Sequence, residues 1–377
     1  MFTDILILAG GSGDRLWPAS DTNKPKQFLA FPNTVPWGGD TFLQATIRRA
    51  IAMNISGKIC IVTRKNWIEQ VIQDIKKLAE ESGQKGITEK ILVMGEPCGK
   101  NTAPAIAWVS EYLLKLDRQE PVYMLVLPSD HIIQDTDKFI ADMETASFYA
   151  EQNNIVTFAV KPSGPETGYG YLKLGSRLTS DNSEHGSVFK VEQFCEKPDR
   201  KTAEIFISKG NYYWNSGIYG FRADFFLGEL EKYAPEVFHA FRNCCNETDI
   251  ETCSGIQAMK NAPELDTAYA ETPSISIDYA VSEKSERVTA VKISFSWDDA
   301  GTWDAISKYD MQDSAQITQV DGSDNFVFSD IPVALCGVDD LIVVIKNGRC
   351  LVCKKGDSNK VKDIVSIINN LTKAKED

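Results

Sequence analysis

The chain has 377 residues, 43% of them hydrophobic and 25% charged, and a formal net charge of −13 at pH 7. At roughly 150 residues per domain this length predicts about two domains with material enough for a buried core, and the acidic balance excludes a surface made for nucleic acid or an anionic membrane. No apolar run approaches the roughly 18 residues that span a bilayer, and Met1 leads directly into strand-like sequence with no basic, cleavable leader, so a cytoplasmic location is expected.

Apolar runs of strand length alternate with helical patterns through the first half. They begin with Ile5–Leu8, Thr41–Ala52, Ile59–Thr63 and Trp67–Glu81, where Trp67, Val71, Ile75 and Leu78 recur at helical spacing. Ile91–Met94, a helix opening near Asn101, Val122–Leu127, a helix over Asp137–Ala150 and Ile155–Val160 follow. This rhythm predicts an α/β fold: a Rossmann-like, mostly parallel sheet flanked by helices, with ligands beyond the carboxyl ends of the strands. From about Gly168 to Trp303 the pattern is mixed, with helices over Asp224–Lys232 and Glu236–Cys244 and a strand Val288–Ile293, and it reads as the second half of the same domain. A polar stretch from Asp310 to Asp324 marks a boundary. Short apolar runs Phe326–Phe328, Val333–Leu335, Leu341–Ile345 and Leu351–Cys353 and a helix over Lys360–Leu371 come after it. The expected organisation is a large domain over residues 1–310 and a small β-rich domain over 325–377.

The nine cysteines, odd in number and without repeated spacing, suit a reducing compartment better than a disulfide framework. Cys244, Cys245 and Cys253 cluster, but no His lies near enough in sequence for a metal finger, and they read as ordinary thiols.

The most informative segment is residues 6–28, an apolar strand running into a glycine-rich turn. Gly10, Gly11 and Gly13 have no side chain to keep a ligand from the backbone, so N–H groups can converge on anionic oxygens. Arg15 and Lys26 add positive charge, which makes the segment a phosphate cradle; the plainer alternative is a tight turn with an incidental arginine. A dinucleotide fingerprint starting at Gly11 needs glycine where Leu16 stands, and the Gly-Lys-Ser/Thr of a P-loop is missing. Further along, residues 125–131 put Asp130 just past a buried strand, where a hard carboxylate suits Mg²⁺ and would otherwise cap a helix. His131 beside it reads as structural.

The glycine loop, with its Leu-Trp-Pro and Lys-Pro-Lys-Gln-Phe continuations, resembles the signature of the sugar-phosphate nucleotidyltransferases, and within them the mannose-1-phosphate guanylyltransferase branch. The resemblance covers roughly residues 3–310. Pro-Ser-Asp-His is similar to the family's metal-binding segment, and residues 297–303 resemble its Trp-x-Asp-x-Gly-x-Trp segment, which aligns the second metal ligand with Asp299 rather than Asp298. Residues 96–106 resemble the nucleobase and phosphate loop of guanylyltransferases. There Glu96 would accept both the N1–H and N2 donors of guanine, while Lys100, Asn101 and Thr102 meet phosphate at a helix N-terminus. Three segments are similar to the sugar site: residues 168–171 with Gly170, Glu196-Lys197-Pro198, and residues 214–217 with Asn215. Ser276-Ile-Asp-Tyr279 is also family-like, with Asp278 read as structural as readily as ligand-binding.

The resemblance implies a GT-A-like nucleotidyltransferase fold, with the C-terminal domain a short left-handed β-helix by analogy, although no hexapeptide repeat is visible. It implies transfer of GMP from GTP to α-D-mannose 1-phosphate, giving GDP-mannose and pyrophosphate, with Mg²⁺ as cofactor and no covalent intermediate. Arg15, Lys26 and Lys197 would be the catalytic cations. GTP and mannose 1-phosphate would be the partners, with neither nucleic acid nor membrane; a homo-oligomer stays open. Longer relatives carry a fused isomerase domain with a zinc site rich in His, but His131, His185 and His239 are the only histidines here, so a second activity is not expected. Two alternatives stand beside this reading: a nucleotidyltransferase for another sugar or base, and a catalytically silent regulatory protein that binds nucleotide sugars.

Overall fold

The structure, a computed structural model, describes residues 1–11, 13–21, 23–31, 39–82, 86–179, 187–242, 244, 250–260, 263–309 and 316–376. It divides into two compact units, one of residues 1–10, 46–129 and 133–297 and one of residues 11–45, 130–132 and 298–377. Cys245 and His185 lie outside the described residues, as do residues 310–315 of the expected boundary.

The first unit is built on an eleven-stranded sheet. Its order is Ile250–Cys253, Ile256–Met259, Ile91–Glu96, Ile59–Arg64, Asp4–Leu8, Tyr123–Pro128, Tyr212–Arg222, Ile155–Val160, Val288–Lys292, Val188–Cys195 and Tyr171–Arg177. The alternation of the first half produces the mostly parallel part: Asp4–Leu8 pairs in parallel with Ile59–Arg64 and Tyr123–Pro128, and Ile59–Arg64 with Ile91–Glu96. These strands are buried almost throughout because helices cover both faces. Every antiparallel pairing of the sheet includes a strand that starts after Gly170. The change from a regular to a mixed pattern near Gly168 is therefore a change of pairing direction.

The helices fall close to the predicted spans: Ile68–Ser82, Thr102–Lys115, Thr136–Glu151, Ala223–Tyr233 and Pro235–Phe241. Trp108, Tyr112, Phe221, Phe226, Phe241 and Tyr269 fill the core on one face, where full burial of a large apolar side chain contributes roughly 1.5–3 kcal/mol. Helices Arg200–Lys209 and Pro263–Glu271 add to these. Among the described residues no helix is long and apolar enough to cross a membrane.

The second unit packs Leu16, Phe31, Phe42, Trp303, Phe326, Phe328 and Ile342 in its core. Its C-terminal strands repeat at a fixed offset: Ile317–Val320 pairs in parallel with Val333–Cys336, and Phe326–Ser329 with Leu341–Lys346. The same offset carries side-chain ladders, since the Leu341 N–H donates to Asn325 Oδ1 and Ser323 donates to Asp339, in each case 16 residues apart. Stacked coils of this length do not follow a hexapeptide period, which is why none is legible. The final strand, Arg349–Lys354, turns back antiparallel. The coils begin at Ile317, inside the polar stretch read as a boundary, because that strand is exposed along its whole length and is only four residues long, with Ile317 and Val320 its sole apolar members.

Asn325 ties the coils together: besides accepting from Leu341, its amide donates to Val338 O at 2.7 Å and to Gln319 Oε1 at 3.1 Å. Asn325→Ala strands a backbone N–H and a carbonyl, which costs about 1–3 kcal/mol. Urea unfolding of the variant should show a lower midpoint; an unchanged midpoint would mean that backbone pairing alone holds the stack.

Candidate active site

In the second unit the glycine loop, the segment after the Tyr123–Pro128 strand and the Trp297–Trp303 segment supply one charged cluster. Lys26 is 4% exposed, and its ammonium donates to Asp130 Oδ2 at 3.0 Å and to the backbone oxygen of Asp299. Its other flank lies over the Phe42 ring, 5.5 Å from the centroid. Arg15 is half exposed, with Nη2 at 4.0 Å from Asp299 Oδ2. Burial alone would push the Asp130 carboxyl up, but Lys26, His131 and Arg15 outweigh it and hold the group below the usual carboxylate range. His131 is buried, with Nε2 3.9 Å from Asp130 Oδ1.

Gly13 sits at φ +65°, and a Cβ there would lie 2.5 Å from the Lys26 backbone nitrogen. Only glycine allows the loop to close over Lys26 in this way. The Ser20 hydroxyl fastens the turn by donating to Gly13 O at 2.6 Å. At Gly11 the space that a Cβ would take is open among the described residues.

The neighbouring aspartates face different partners. Asp299 Oδ1 accepts the Gly301 N–H, and Oδ2 points to Arg15. Asp298 accepts from Ala300 N, lies 3.6 Å from Lys308 Nζ and raises the pKa of Tyr309, second to burial. Burial chiefly raises the Asp298 carboxyl itself. Among the described residues no group of three or more His, Cys, Asp or Glu is arranged to hold a metal by protein ligands alone.

In the first unit the carboxyl ends of three parallel strands bring Gly10, Arg64 and Glu96 together. Arg64 Nε donates to Gly10 O at 3.1 Å, and a Cβ at Gly10 would run into Glu96 Oε1. Glu96 is 4% exposed and accepts from the Tyr269 hydroxyl at 3.3 Å. Burial pushes its pKa up to about 7, against the opposing effects of Tyr269 and Arg64. Tyr269 is held edge-on by Trp108 and Phe241. Neither Arg64 nor Tyr269 stands out in the sequence; the signal for Arg64 was its place at the end of a parallel strand.

The loop after Glu96 ends at Asn101, which has φ +68° and caps the Thr102–Lys115 helix by accepting from the Thr102 N–H. Lys100 Nζ donates to Thr272 O at 2.9 Å, and Thr102 Oγ1 accepts from the Ile277 N–H at 2.9 Å.

The three sugar-like segments also meet in the first unit. Lys197 Nζ donates to Glu196 Oε1 at 2.7 Å, and a Cβ at Gly170 would come within 2.5 Å of Glu196 Oε2. Burial first, then Asp278 and Glu283, raise the Glu196 pKa, opposed by Lys197. Asn215 is buried and donates to Asp278 Oδ1 at 3.0 Å and Tyr219 OH at 3.1 Å, while its Oδ1 accepts from Thr157 at 2.6 Å. Asp278 also accepts from the Tyr219 hydroxyl at 2.6 Å.

The Nucleotidyl transferase family matches residues 5–316. Mannose-1-phosphate guanylyltransferase 2 of Escherichia coli O157:H7 is 32% identical over 371 residues, 96% of this chain and 73% of that protein. A mannose-1-phosphate guanylyltransferase of Salmonella montevideo is 35% identical over 373 residues, 97% of this chain and 73% of that protein. The crystal structure of a mannose-1-phosphate geranyltransferase from Thermus thermophilus superposes with a TM-score of 0.76 at 29% identity, covering 98% of this chain and all of that one.

The raised pKa of Glu96 has a measurable sign. Its folded-state value lies above the unfolded 4.5, so its contribution to stability is complete below pH 4.5 and is lost as pH rises through about 7. The loss is about 3 kcal/mol. Gln at this position does not ionise, so unfolding measurements on Glu96→Gln and the parent chain should diverge in favour of the variant between pH 4.5 and 8. A constant difference across that range would mean that the carboxyl is not buried in solution.

Proposed function

As a member of the Nucleotidyl transferase family the chain is a nucleotidyltransferase, and we propose that it joins GTP and α-D-mannose 1-phosphate to give GDP-mannose and pyrophosphate. The observation that carries this reading is the buried Lys26 ammonium bonded to Asp130 and to the backbone of Asp299, with Arg15 beside Asp299. A binding protein for finished nucleotide sugars has no need of two acidic residues gathered on one buried cation. Similarity to mannose-1-phosphate guanylyltransferases supports mannose as the sugar and guanine as the base.

The nucleophile is the sugar phosphate, already ionised, so alignment and charge neutralisation suffice and no covalent enzyme intermediate is required. Its oxygen attacks the α-phosphorus of GTP in line, and pyrophosphate leaves. Arg15 and Lys26 offset the charge of the departing pyrophosphate, and the Gly11 and Gly13 backbone offers room and N–H groups for phosphate oxygens. Lys197 aligns the sugar phosphate against its repulsion from the nucleotide. Asp130 and Asp299 would hold Mg²⁺, which takes one or two carboxylates and completes its shell with waters and substrate phosphates. Asp130, kept ionised by Lys26, and Asp299 are two such carboxylates. When bound, the ion supplies positive charge at the reacting phosphates. Glu96 is a buried carboxyl short of donors, and guanine's N1–H and N2 groups are the donors that its ionised form requires.

Pyrophosphate release from GTP with a panel of hexose 1-phosphates and Mg²⁺ tests the reaction, and mannose 1-phosphate should be the preferred acceptor. Asp130→Asn and Asp299→Asn should each abolish Mg²⁺-dependent turnover while Asp298→Asn retains it; the reverse order at 298 and 299 would transfer the metal role to Asp298. Arg15→Ala should slow kcat by ~10²–10³. A separate measurement concerns the base: Glu96→Gln should narrow the GTP-to-ATP ratio in kcat/KM, and an unchanged ratio would assign base reading to the backbone.

A further inference from the structure

Asn215 has no N–H to spare for a ligand. Both amide hydrogens are donated, to Asp278 Oδ1 and Tyr219 OH, and its oxygen accepts from Thr157. Those two donors point the other way along the chain of bonds: Asn215 and the fully buried Tyr219 both donate to Oδ1 of Asp278. Asp278 Oδ2 takes no hydrogen bond among the described residues, and the residue is only half-buried. The carboxylate is thus gripped from the interior by one oxygen.

Asp278 opens a π-helical turn, Asp278–Ser282, a rare irregularity that often marks functional sites. It is close enough to Glu196 to raise that carboxyl's pKa, second only to burial. Two carboxylates with Lys197 on one side and the exposed Tyr279 next in the chain make a surface of acceptors and one cation. A hexose 1-phosphate presents the complement, a ring of hydroxyl donors with one anionic group.

Resting on the reaction read above, we propose that Asp278 is a second hexose-binding carboxylate that accepts from a sugar hydroxyl beside Glu196, and that Asn215 and Tyr219 are positioning residues that hold it. The hydroxyl pattern of the acceptor sugar is then read by an acid pair, and the amide N–H groups of Asn215 act on the sugar through Asp278 and Tyr219.

The test is a cycle between protein and ligand. Binding and kcat/KM of the parent chain and Asp278→Asn are measured with mannose 1-phosphate and with its singly deoxygenated analogues. Asparagine keeps an oxygen for Tyr219 and Asn215, so the turn is preserved. The variant should bind mannose 1-phosphate at least tenfold more weakly with the KM for GTP within twofold. For one analogue the loss seen in the parent chain should vanish in the variant, a non-additivity that a purely structural role does not produce. Losses that add for every analogue, or an unchanged KM for the sugar phosphate, overturn the assignment. If Asp278→Asn does not fold, Tyr219→Phe removes one donor to Asp278 and should raise the KM for sugar phosphate several-fold with GTP binding unchanged; no change there also overturns it. A parent chain that binds GTP but no hexose 1-phosphate defeats the reaction itself, whereas normal turnover with an indifferent Asp278→Asn defeats only the residue.

Discussion

The second unit is assembled from three stretches of chain far apart in sequence, and one ammonium group belongs to all of them. Lys26 bonds Asp130, 104 residues away, and the Asp299 backbone, 273 residues away. A charge this deeply buried is tolerable only when paired and hydrogen-bonded, and removal of a partner from such a pair typically costs about 3–5 kcal/mol. The surrounding sequence is shaped by that requirement. Gly13 takes a left-handed conformation so that the loop clears Lys26, Ser20 clamps the turn, and Trp303 donates its indole N–H to Trp17 O at 2.9 Å. The ammonium that organises this unit thus also fixes the Asp130 carboxylate and the backbone of Asp299, the two candidate metal ligands. Stability and preorganisation come from the same contact.

A net charge of −13 raises the question of how such a chain holds a triphosphate. The cations are few and placed, whereas the acids of the first unit lie where hydrogen-bond donors are expected. Glu96 has its pKa pushed up to about 7 by burial, and Glu196 is raised by burial and by Asp278. Desolvated carboxyls like these gain most from a ligand that brings donors of its own. On the function proposed above, a guanine edge and sugar hydroxyls would be such ligands, and the phosphates would be the part that needs cations.

Much of this was legible in the residues. The βαβ rhythm located Asp4–Leu8, Ile59–Arg64, Ile91–Glu96, Tyr123–Pro128 and Ile155–Val160 to within two residues, because buried parallel strands are continuous apolar runs, but it missed the central antiparallel strand Tyr212–Arg222; the glycine loop announced itself by what it could not be. The strands Tyr171–Arg177 and Val188–Cys195 were not legible: the first ends in exposed Ser176 and Arg177, the second mixes exposed charged residues with half-buried ones, and their pairing is irregular in register. Ile317–Val320 was hidden because it is exposed throughout. Among site residues, Arg64 and Tyr269 have no motif, since a strand-end arginine and a helical tyrosine are ordinary until the fold sets them on Gly10 and Glu96. Asn215 shows the opposite limit: its motif was visible, but the direction of its hydrogen bonds was not.

The segment 275–282 explains how the nucleotide loop and the sugar-facing acids stay in register within the first unit. Ile275 donates its N–H to Lys100 O and accepts from the Ala103 N–H, and the Ile277 N–H is held by Thr102. The next residue, Asp278, carries Asn215 and Tyr219. One short stretch therefore bonds to the start of the helix expected to meet nucleotide phosphate and, one residue later, to the carboxylate assigned to the sugar. On the function proposed above, a shift of this stretch by even one ångström would disturb both substrates together. Buried Ile277, Ala280 and Val281 lock it into the core, so the two regions are tied through packed backbone rather than through flexible side chains, a rigidity that the in-line attack proposed above would demand.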